Sequence, residues 1–336
     1  MKRWLHRPEG SNWGDFGEND QIGRMNLVTP DKRRRAVAEA REGEVFLLGL
    51  PLDVPRTPLF GMRAPPRLQP TTMGPGGRPL YDWPLSEIAP GATDIVNDDQ
   101  VQLTLQYTSQ WDGLSHYGVC FDADGDGVAE HVFYNGYRMD RDFVLAADGG
   151  ACRATALGIE NMAQTCVQGR GVLVDVRQAG APPHRRIGYA ELRGAMDAQN
   201  AVVEEGDFLC LYTGFADILL RDTSIIDQPA LDATPGLDGS DAELLDWIDR
   251  SGLVAICADN VMVERIEGIV HCSGTAHLPL HEHCLLKLGI HLGEFWWFGE
   301  IARALAERKR AHFLLTAPPL NLPGAVGSPA TPIGTI

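Results

Sequence analysis

Apolar runs of strand length recur along this chain with helix-patterned stretches between them, and that alternation limits the possible folds more than any other sequence feature. GVLVDV at 171–176, DFLCLYT at 207–213, LVAIC at 253–257 and HFLLT at 312–316 read as buried strands. Helical patterning falls near 150–167, 189–199, 241–251, 279–288 and 295–310. Strands interleaved with helices predict an α/β or mixed α+β domain. Thr29 and Pro30 form a helix start, Thr as cap and Pro in the first turn, with Gly43 as the stop and a strand at Val45–Leu50 behind it.

Two segments break the pattern. Residues 51–97 gather much of the chain's proline and glycine, which predicts a long irregular arm that serves as a lid, as an interface or as a surface meander. Residues 317–336 are again rich in proline and glycine and predict a loop or an extended tail. With 336 residues, 44% of them hydrophobic, there is material for a sizeable core, and we expect one domain over 1–336. The 45 acidic residues exceed the 29 basic ones, for a net charge of −16, so neither nucleic acid nor an anionic membrane is expected as partner. No apolar run approaches the roughly 18 residues of a membrane span, and MKRWLHRPEGSNWGD lacks the apolar core of a secretory signal. The seven cysteines (Cys120, Cys152, Cys166, Cys210, Cys257, Cys272, Cys284) are scattered and form no CxxC pair. They predict reduced thiols in a cytoplasmic protein, with neither a disulfide framework nor a cysteine-ligated zinc.

Two clusters could carry chemistry. From Val101 to Gln110 the chain alternates, placing Gln106, Thr108, Gln110 and Asp112 two apart, with His116 four residues on. Amide, hydroxyl, carboxylate and imidazole converging at a strand end would make a site; a strand with a solvated polar face explains the same alternation. The second cluster is histidine-rich. His271, His277, His281, His283 and His291 fall within 21 residues, with Glu282 and Glu294 among them. Imidazole with carboxylate suits zinc, manganese or iron, and imidazole also serves as a base near neutral pH. His281 and His283 diverge on a helix, so at most one of them serves a given site.

Other signals are decoys. DADGDG at 122–127 imitates a calcium loop, but Phe133 stands where a bidentate Glu belongs, so a turn with solvated carboxylates is expected. No GxGxxG, P-loop or GxSxG is present. The block Phe295, Trp296, Trp297, Phe298 predicts core or subunit interface rather than a stacking platform.

With these residues in view, the chain resembles the cyclase family, the group that includes bacterial kynurenine formamidase and isatin hydrolase. The resemblance runs from about residue 10 to about residue 315. The family hallmark HxGTHxDxPxH places its Asp on Asp112 and its last His on His116. YNG at 134–136, GRGVLVDV at 169–176, EEGDFLCLYTG at 204–214 and ADNVMVE at 258–264 follow in order, and LHEHCLLKLGIHLGE puts the family's late His on His281 and its Glu on Glu294. The chain departs from the hallmark where its first two histidines fall on Gln106 and Gln110, a QWDxxxH version similar to a subgroup of the family. A Gln offers only a neutral carbonyl oxygen, a weak zinc ligand.

The resemblance implies a swivelling β/β/α cyclase fold, mixed α+β, with a β-barrel-like core flanked by helices. It also implies a homodimer or homotetramer, with the 51–97 arm and the 295–298 block suited to the interface. The implied activity is a hydrolase of a small amide, formamide, cyclic amide or lactone, acting through metal-activated water, as in arylformamidase chemistry. One divalent ion, zinc or manganese, would sit on Asp112, His281 and Glu294, with Gln110 offering an oxygen. His116, paired with Asp112, would be the general base. Gln106, Gln110, Trp111 and Tyr134 would contact the substrate. Two alternatives stay open: a metal-independent acid–base cyclase or lyase, and a small-molecule binding protein with a degenerate site.

Overall fold

The run around GVLVDV becomes the longest strand of a nine-stranded sheet, as expected of a strand covered on both faces, which needs no polar side. The computed structural model describes residues 3–58, 61–73, 77–147, 150–182, 184–221, 228–269 and 274–336. In chain order the sheet strands are β1 (Val45–Leu47), β2 (Gln110–Asp112), β3 (Gln168–Asp175), β4 (Phe208–Tyr212), β5 (Ala255–Ala258), β6 (His291–Glu294), β7 (His312–Thr316), β8 (Gly327–Pro329) and β9 (Ile333–Thr335). Across the sheet the order is β1-β9-β7-β3-β4-β5-β6-β2-β8. Strands β3 to β6 are parallel, and antiparallel strands extend the sheet on both sides. The whole curls into a half-barrel within a mixed α/β fold.

Alternation along the parallel strands feeds two cores. Val172, Val174, Leu209, Leu211 and Ile256 face one side, where α2 (Tyr189–Gln199) brings Leu192 and α3 (Ala242–Ser251) brings Leu244 and Ile248. Leu173, Phe208, Cys210 and Cys257 face the other, where α4 (Gly299–Glu307) brings Ile301 and Leu305. Each fully buried Leu, Ile or Val stabilises the fold by about 1.5–3 kcal/mol. Helix α1 (Pro30–Val37) starts as its cap predicts, with Thr29 Oγ1 accepting from the Lys32 N–H at 3.3 Å, but it ends well before Gly43. All six described cysteines are free thiols.

Several expectations need correction. Residues 101–110 are not one strand: Asp99–Gln102 pairs with Arg67–Pro70, a turn follows, and pairing resumes only at β2. The side chains between bond outside any ladder: Tyr107 donates its hydroxyl to Thr57 O, and Ser109 Oγ accepts from the Leu50 N–H while donating to Phe295 O. The helix near 150–167 shrinks to Ile159–Ala163, because Cys152–Ala154 is drawn into a ribbon with Phe143–Leu145. The helix near 295–310 begins only at Gly299, since Phe295 holds a left-handed φ of 56°. Of the two readings of the 295–298 block, core holds for three residues: Phe295, Trp296 and Phe298 are buried in this chain's own core and so unavailable to a partner, while Trp297 is half-buried. The tail at 317–336 is not loose, because it supplies β8 and β9. The arm carries two short ribbons, one pairing Trp83–Pro84 with Ile95–Val96.

Candidate active site

Strand β2 lies between β6 and β8, and this placement assembles the site. Cross-strand register sets Gln110 opposite Glu294, Asp112 opposite Leu292, and Gly327 of β8 opposite Asp112. Paired residues share a sheet face, so Gln110, Asp112 and Glu294 project together. Trp111 points the other way. It is fully buried, stacks edge-on against Trp296 and donates its indole N–H to Ala317 O at 2.7 Å, so it belongs to the core and is not a substrate contact.

His281 reaches the same face from the helical turn Pro279–His281, which runs into the π-helical turn Glu282–Leu288. Its Nε2 lies 3.6 Å from Glu294 Oε1, and ligand atoms of Asp112, His281 and Glu294 all fall within 4.8 Å of one another. The three residues are buried. Its other ring nitrogen, Nδ1, sits 2.6 Å from Glu264 Oε1. The Glu264 carboxylate also accepts from the backbone N–H of Leu280 at 3.0 Å and of His281 at 3.1 Å. Glu264 therefore fixes both the ring and the turn that presents it, a role the sequence analysis did not assign. The only signal was an acidic residue closing the segment ADNVMVE.

Gln110 Nε2 donates to Asp112 Oδ1 at 3.1 Å and to Glu294 Oε2 at 3.0 Å. Two acceptors on one amide atom identify that atom as the nitrogen. One oxygen of each acid is thus engaged, whereas Asp112 Oδ2, Glu294 Oε1 and Gln110 Oε1 are buried without a hydrogen-bond partner, Glu294 Oε1 facing His281 Nε2 at 3.6 Å. Buried lone oxygens are costly unless something charged or donating meets them. Two orphaned carboxylate oxygens and an imidazole nitrogen converging together fit a divalent ion, and Asp112, His281 and Glu294 could hold one.

The electrostatics match a packed acidic centre. Burial raises the Asp112 pKa; His116 lowers it, Glu294 raises it further, and His281 and Arg63 lower it. Burial lowers the pKa of His281, but the hydrogen bond to Glu264 and the charges of Glu294 and Glu264 outweigh it and hold the ring up at about 10 in the ion-free centre. His116, its side chain 25% exposed, places Nε2 3.7 Å from Asp112 Oδ1 at the solvent side. Tyr117 packs its ring 5.7 Å from that of His281, and burial with the nearby Glu282 and Glu264 pushes its hydroxyl up to about 12. Arg63, from the arm, donates to Gln106 O at 2.9 Å. Neither Tyr117 nor Arg63 was anticipated.

The remaining candidates separate from this centre or stand at its margin. Gln106 sits beside it: a Cβ on Gly327, the partner of Asp112, would lie 2.6 Å from Gln106 Nε2. Tyr134 is fully buried, packs against Gly289 and donates to Asp20 Oδ2 at 3.1 Å, so it ties down the N-terminal segment and is not placed to touch substrate. His283 Nε2 meets Leu245 O at 3.0 Å, and burial lowers its pKa to about 4. His291 lies on the opposite sheet face from Glu294, lowered to about 3 by burial. His277 is exposed, and His271 lies outside the described residues. In the 122–127 turn, Asp122 accepts from the N–H groups of Gly125 and Gly127, and the Arg138 guanidinium pairs with Asp124, Glu130 and Asp140 in the place of a cation.

Strain marks the same region. Met262 and Val263, just before Glu264, hold φ of 70° and 59°, and Phe295 directly follows Glu294. Left-handed backbone at non-glycine residues costs on the order of 1–3 kcal/mol each and persists where surrounding structure demands it.

Fold and centre together define a β/α protein with a buried two-carboxylate, one-imidazole cluster. Residues 47–265 match the family model described as "Putative cyclase", and the chain belongs to this cyclase family. The solved structure of a novel cyclase is 30% identical, covering 97% of this chain and 99% of its own, with a TM-score of 0.75. Isatin hydrolase A from Labrenzia aggregata, solved with benzyl benzoate, shares the fold at 13% identity and a TM-score of 0.54, covering 90% of this chain and 97% of its own. An isatin hydrolase bound to the product analogue thioisatinate does so at 12% identity and 0.53, covering 92% and 99%. No curated protein matches the chain. Among the described residues no helix is long and apolar enough to cross a membrane.

Proposed function

We propose that this chain is a metal-dependent hydrolase that opens an acyl C–N or C–O bond in a small amide, formamide, cyclic amide or lactone. The observation that carries the reading is the pair of orphaned buried oxygens on Asp112 and Glu294 beside His281 Nε2, with a part-exposed imidazole at the rim. Isatin hydrolases, which share the fold, act on a compound of this class. Asp112, His281 and Glu294 hold the ion, zinc or manganese. When bound, such an ion polarises the substrate carbonyl and lowers the pKa of water toward ~7. Glu264 keeps the His281 ring in one orientation and one tautomer. His116 takes the proton of the attacking water and returns it to the leaving group, with Asp112 orienting the ring. Gln106 and Arg63 line the approach from the arm side.

The test begins with elemental analysis of protein purified without chelator. About one ion per chain, lost in Asp112→Ala and His281→Ala, supports the reading; no ion even after soaking with zinc or manganese refutes it. Turnover of cyclic amides and lactones should incorporate labelled oxygen from water, which a ring-closing or eliminating enzyme would not do. We extend the proposal to assembly as a homodimer or homotetramer through the arm, where Met62, Leu68, Ile88 and Ile95 are exposed. Light scattering on the whole chain, with Leu68→Lys and Ile95→Lys, checks it.

A further inference from the structure

We infer that Gln110 is a staple for the metal ligands and not itself a ligand: its amide nitrogen holds one oxygen of each carboxylate so that Asp112 and Glu294 bind the ion through a single oxygen apiece. The inference rests on the metal-hydrolase reading and specifies how that centre keeps room for water and substrate.

The geometry divides each ligand in two. Asp112 Oδ1 and Glu294 Oε2 both accept from Gln110 Nε2, at 3.1 and 3.0 Å, whereas Asp112 Oδ2 and Glu294 Oε1 have no hydrogen-bond partner. His281 is divided the same way, with Nδ1 held by Glu264 and Nε2 turned toward Glu294. Each of the three ligands thus has one atom engaged by a protein hydrogen bond and one that is not; Gln110 Oε1 is likewise buried without a partner, but it is the amide nitrogen that meets both carboxylates. Carboxylates free to turn can bind one ion through both oxygens. A donor that occupies the second oxygen of each prevents this. Gln110 is itself fully buried, and its position opposite Glu294 in the β2–β6 ladder fixes where its amide lies. The N–H groups of this amide compete with an ion for the same carboxylate oxygens.

Coordination arithmetic gives the test. Manganese prefers about six ligands. Three monodentate protein atoms leave about three positions for exchangeable water, and these enhance the longitudinal relaxation of bulk water protons in proportion to their number. The experiment titrates Mn²⁺ alone into the metal-free full-length protein, following binding by electron paramagnetic resonance and counting waters by proton relaxation. Wild type should show one Mn²⁺ with about three exchangeable waters. Gln110→Met keeps length and removes the donor; both carboxylates can then turn bidentate, so relaxivity per ion should fall by a third or more while Mn²⁺ affinity holds or rises severalfold. If Gln110 were a ligand through Oε1, the same variant would lose affinity and gain a water, which overturns the inference. A wild-type count of two or fewer waters overturns it as well and needs no variant, should Gln110→Met fail to fold. Wild type that binds no Mn²⁺ or Zn²⁺ at all sinks the metal reading itself, whereas wild type that binds with the wrong water count sinks only the staple.

Discussion

Glu264 offers the sharpest test of how the centre is built, because it touches no reacting atom and yet three groups depend on it. Its carboxylate is wholly buried and accepts from Leu280 N–H, His281 N–H and His281 Nδ1. Glu264→Gln preserves the shape but cannot accept at both ends. With the amide oxygen turned to the two His281 donors, the NH₂ faces the Leu280 N–H, and a buried donor is left without a partner at about 1–3 kcal/mol. Loss of the negative charge beside a protonated His281 adds to this, since breaking a buried ion pair from one side costs about 3–5 kcal/mol when nothing compensates. We expect roughly 3 kcal/mol less stability for the metal-free protein. At about 2.1 cal/mol/K per residue over the chain, that is a fall of roughly 4 °C in Tm. Zinc or manganese affinity should fall about 10–100-fold, the usual consequence of losing a carboxylate that orients a ligating histidine. Chemical denaturation and titration calorimetry measure the two effects. Glu282→Gln is the control: that acid is also close to His281 but is part-exposed and paired with Lys287 at 3.4 Å, so it should change neither by much. A Glu264→Gln protein that binds the ion within threefold of wild type, at an unchanged Tm, would refute the account of the His281 turn.

Other outcomes can be stated briefly. His116→Ala should lower turnover by about 10²–10⁴-fold with Tm nearly unchanged, because the ring is at the rim and its approach to the buried Asp112 carboxylate, at 3.7 Å, is longer than a hydrogen bond; loss of folding instead would mean a structural role. In chelated protein the His281 ring, held up at about 10 against an ordinary value near 6.5, contributes stability that is complete below about pH 6.5 and is lost as pH rises through 10. Urea unfolding from pH 6 to pH 10 should show this decline, and Glu264→Gln should flatten it. Trp111→Ala should cost about 3–5 kcal/mol by opening a core cavity, and Trp111→Phe should retain turnover, which a substrate-binding tryptophan would not. Gly327→Ala sets a Cβ 2.6 Å from Gln106 Nε2 and 2.8 Å from Trp111 O, so it should destabilise by about 1–3 kcal/mol and raise KM in steady-state assays.

The parallel strands were legible because burial on both faces leaves an unbroken apolar run, as at Phe208–Tyr212 and Ala255–Ala258. Asp112, His281 and Glu294 were legible through motif resemblance, and spacing alone could not have joined residues nearly two hundred positions apart. What escaped was decided by partners distant in the chain. The alternation at 101–110 looked like a strand, but Tyr107 and Ser109 found acceptors and donors in Thr57, Leu50 and Phe295. Trp111 sits between two site residues, and the period of two that brings Gln110 and Asp112 together necessarily turns it to the opposite face. Residues 317–336 read as a loop or extended tail because proline and glycine normally weaken a strand. Here Gly327 is required beside Asp112, where a side chain would strike Gln106, and Pro329 lies on the edge strand β8, where a missing N–H is tolerated.

Strand β2 has no neighbour drawn from its own half of the chain. Its partners, β6 and β8, are made of residues 291–294 and 327–329. A polypeptide stopped short of 327 would leave one flank of the Asp112 strand bare, with the core indole of Trp111 losing the cover that Ser328 now supplies across the ladder. Closing such distant pairings is entropically slow, so the Asp112–His281–Glu294 cluster should be among the last parts of this molecule to mature, and carboxyl-terminal trimming should disrupt it before the parallel core gives way.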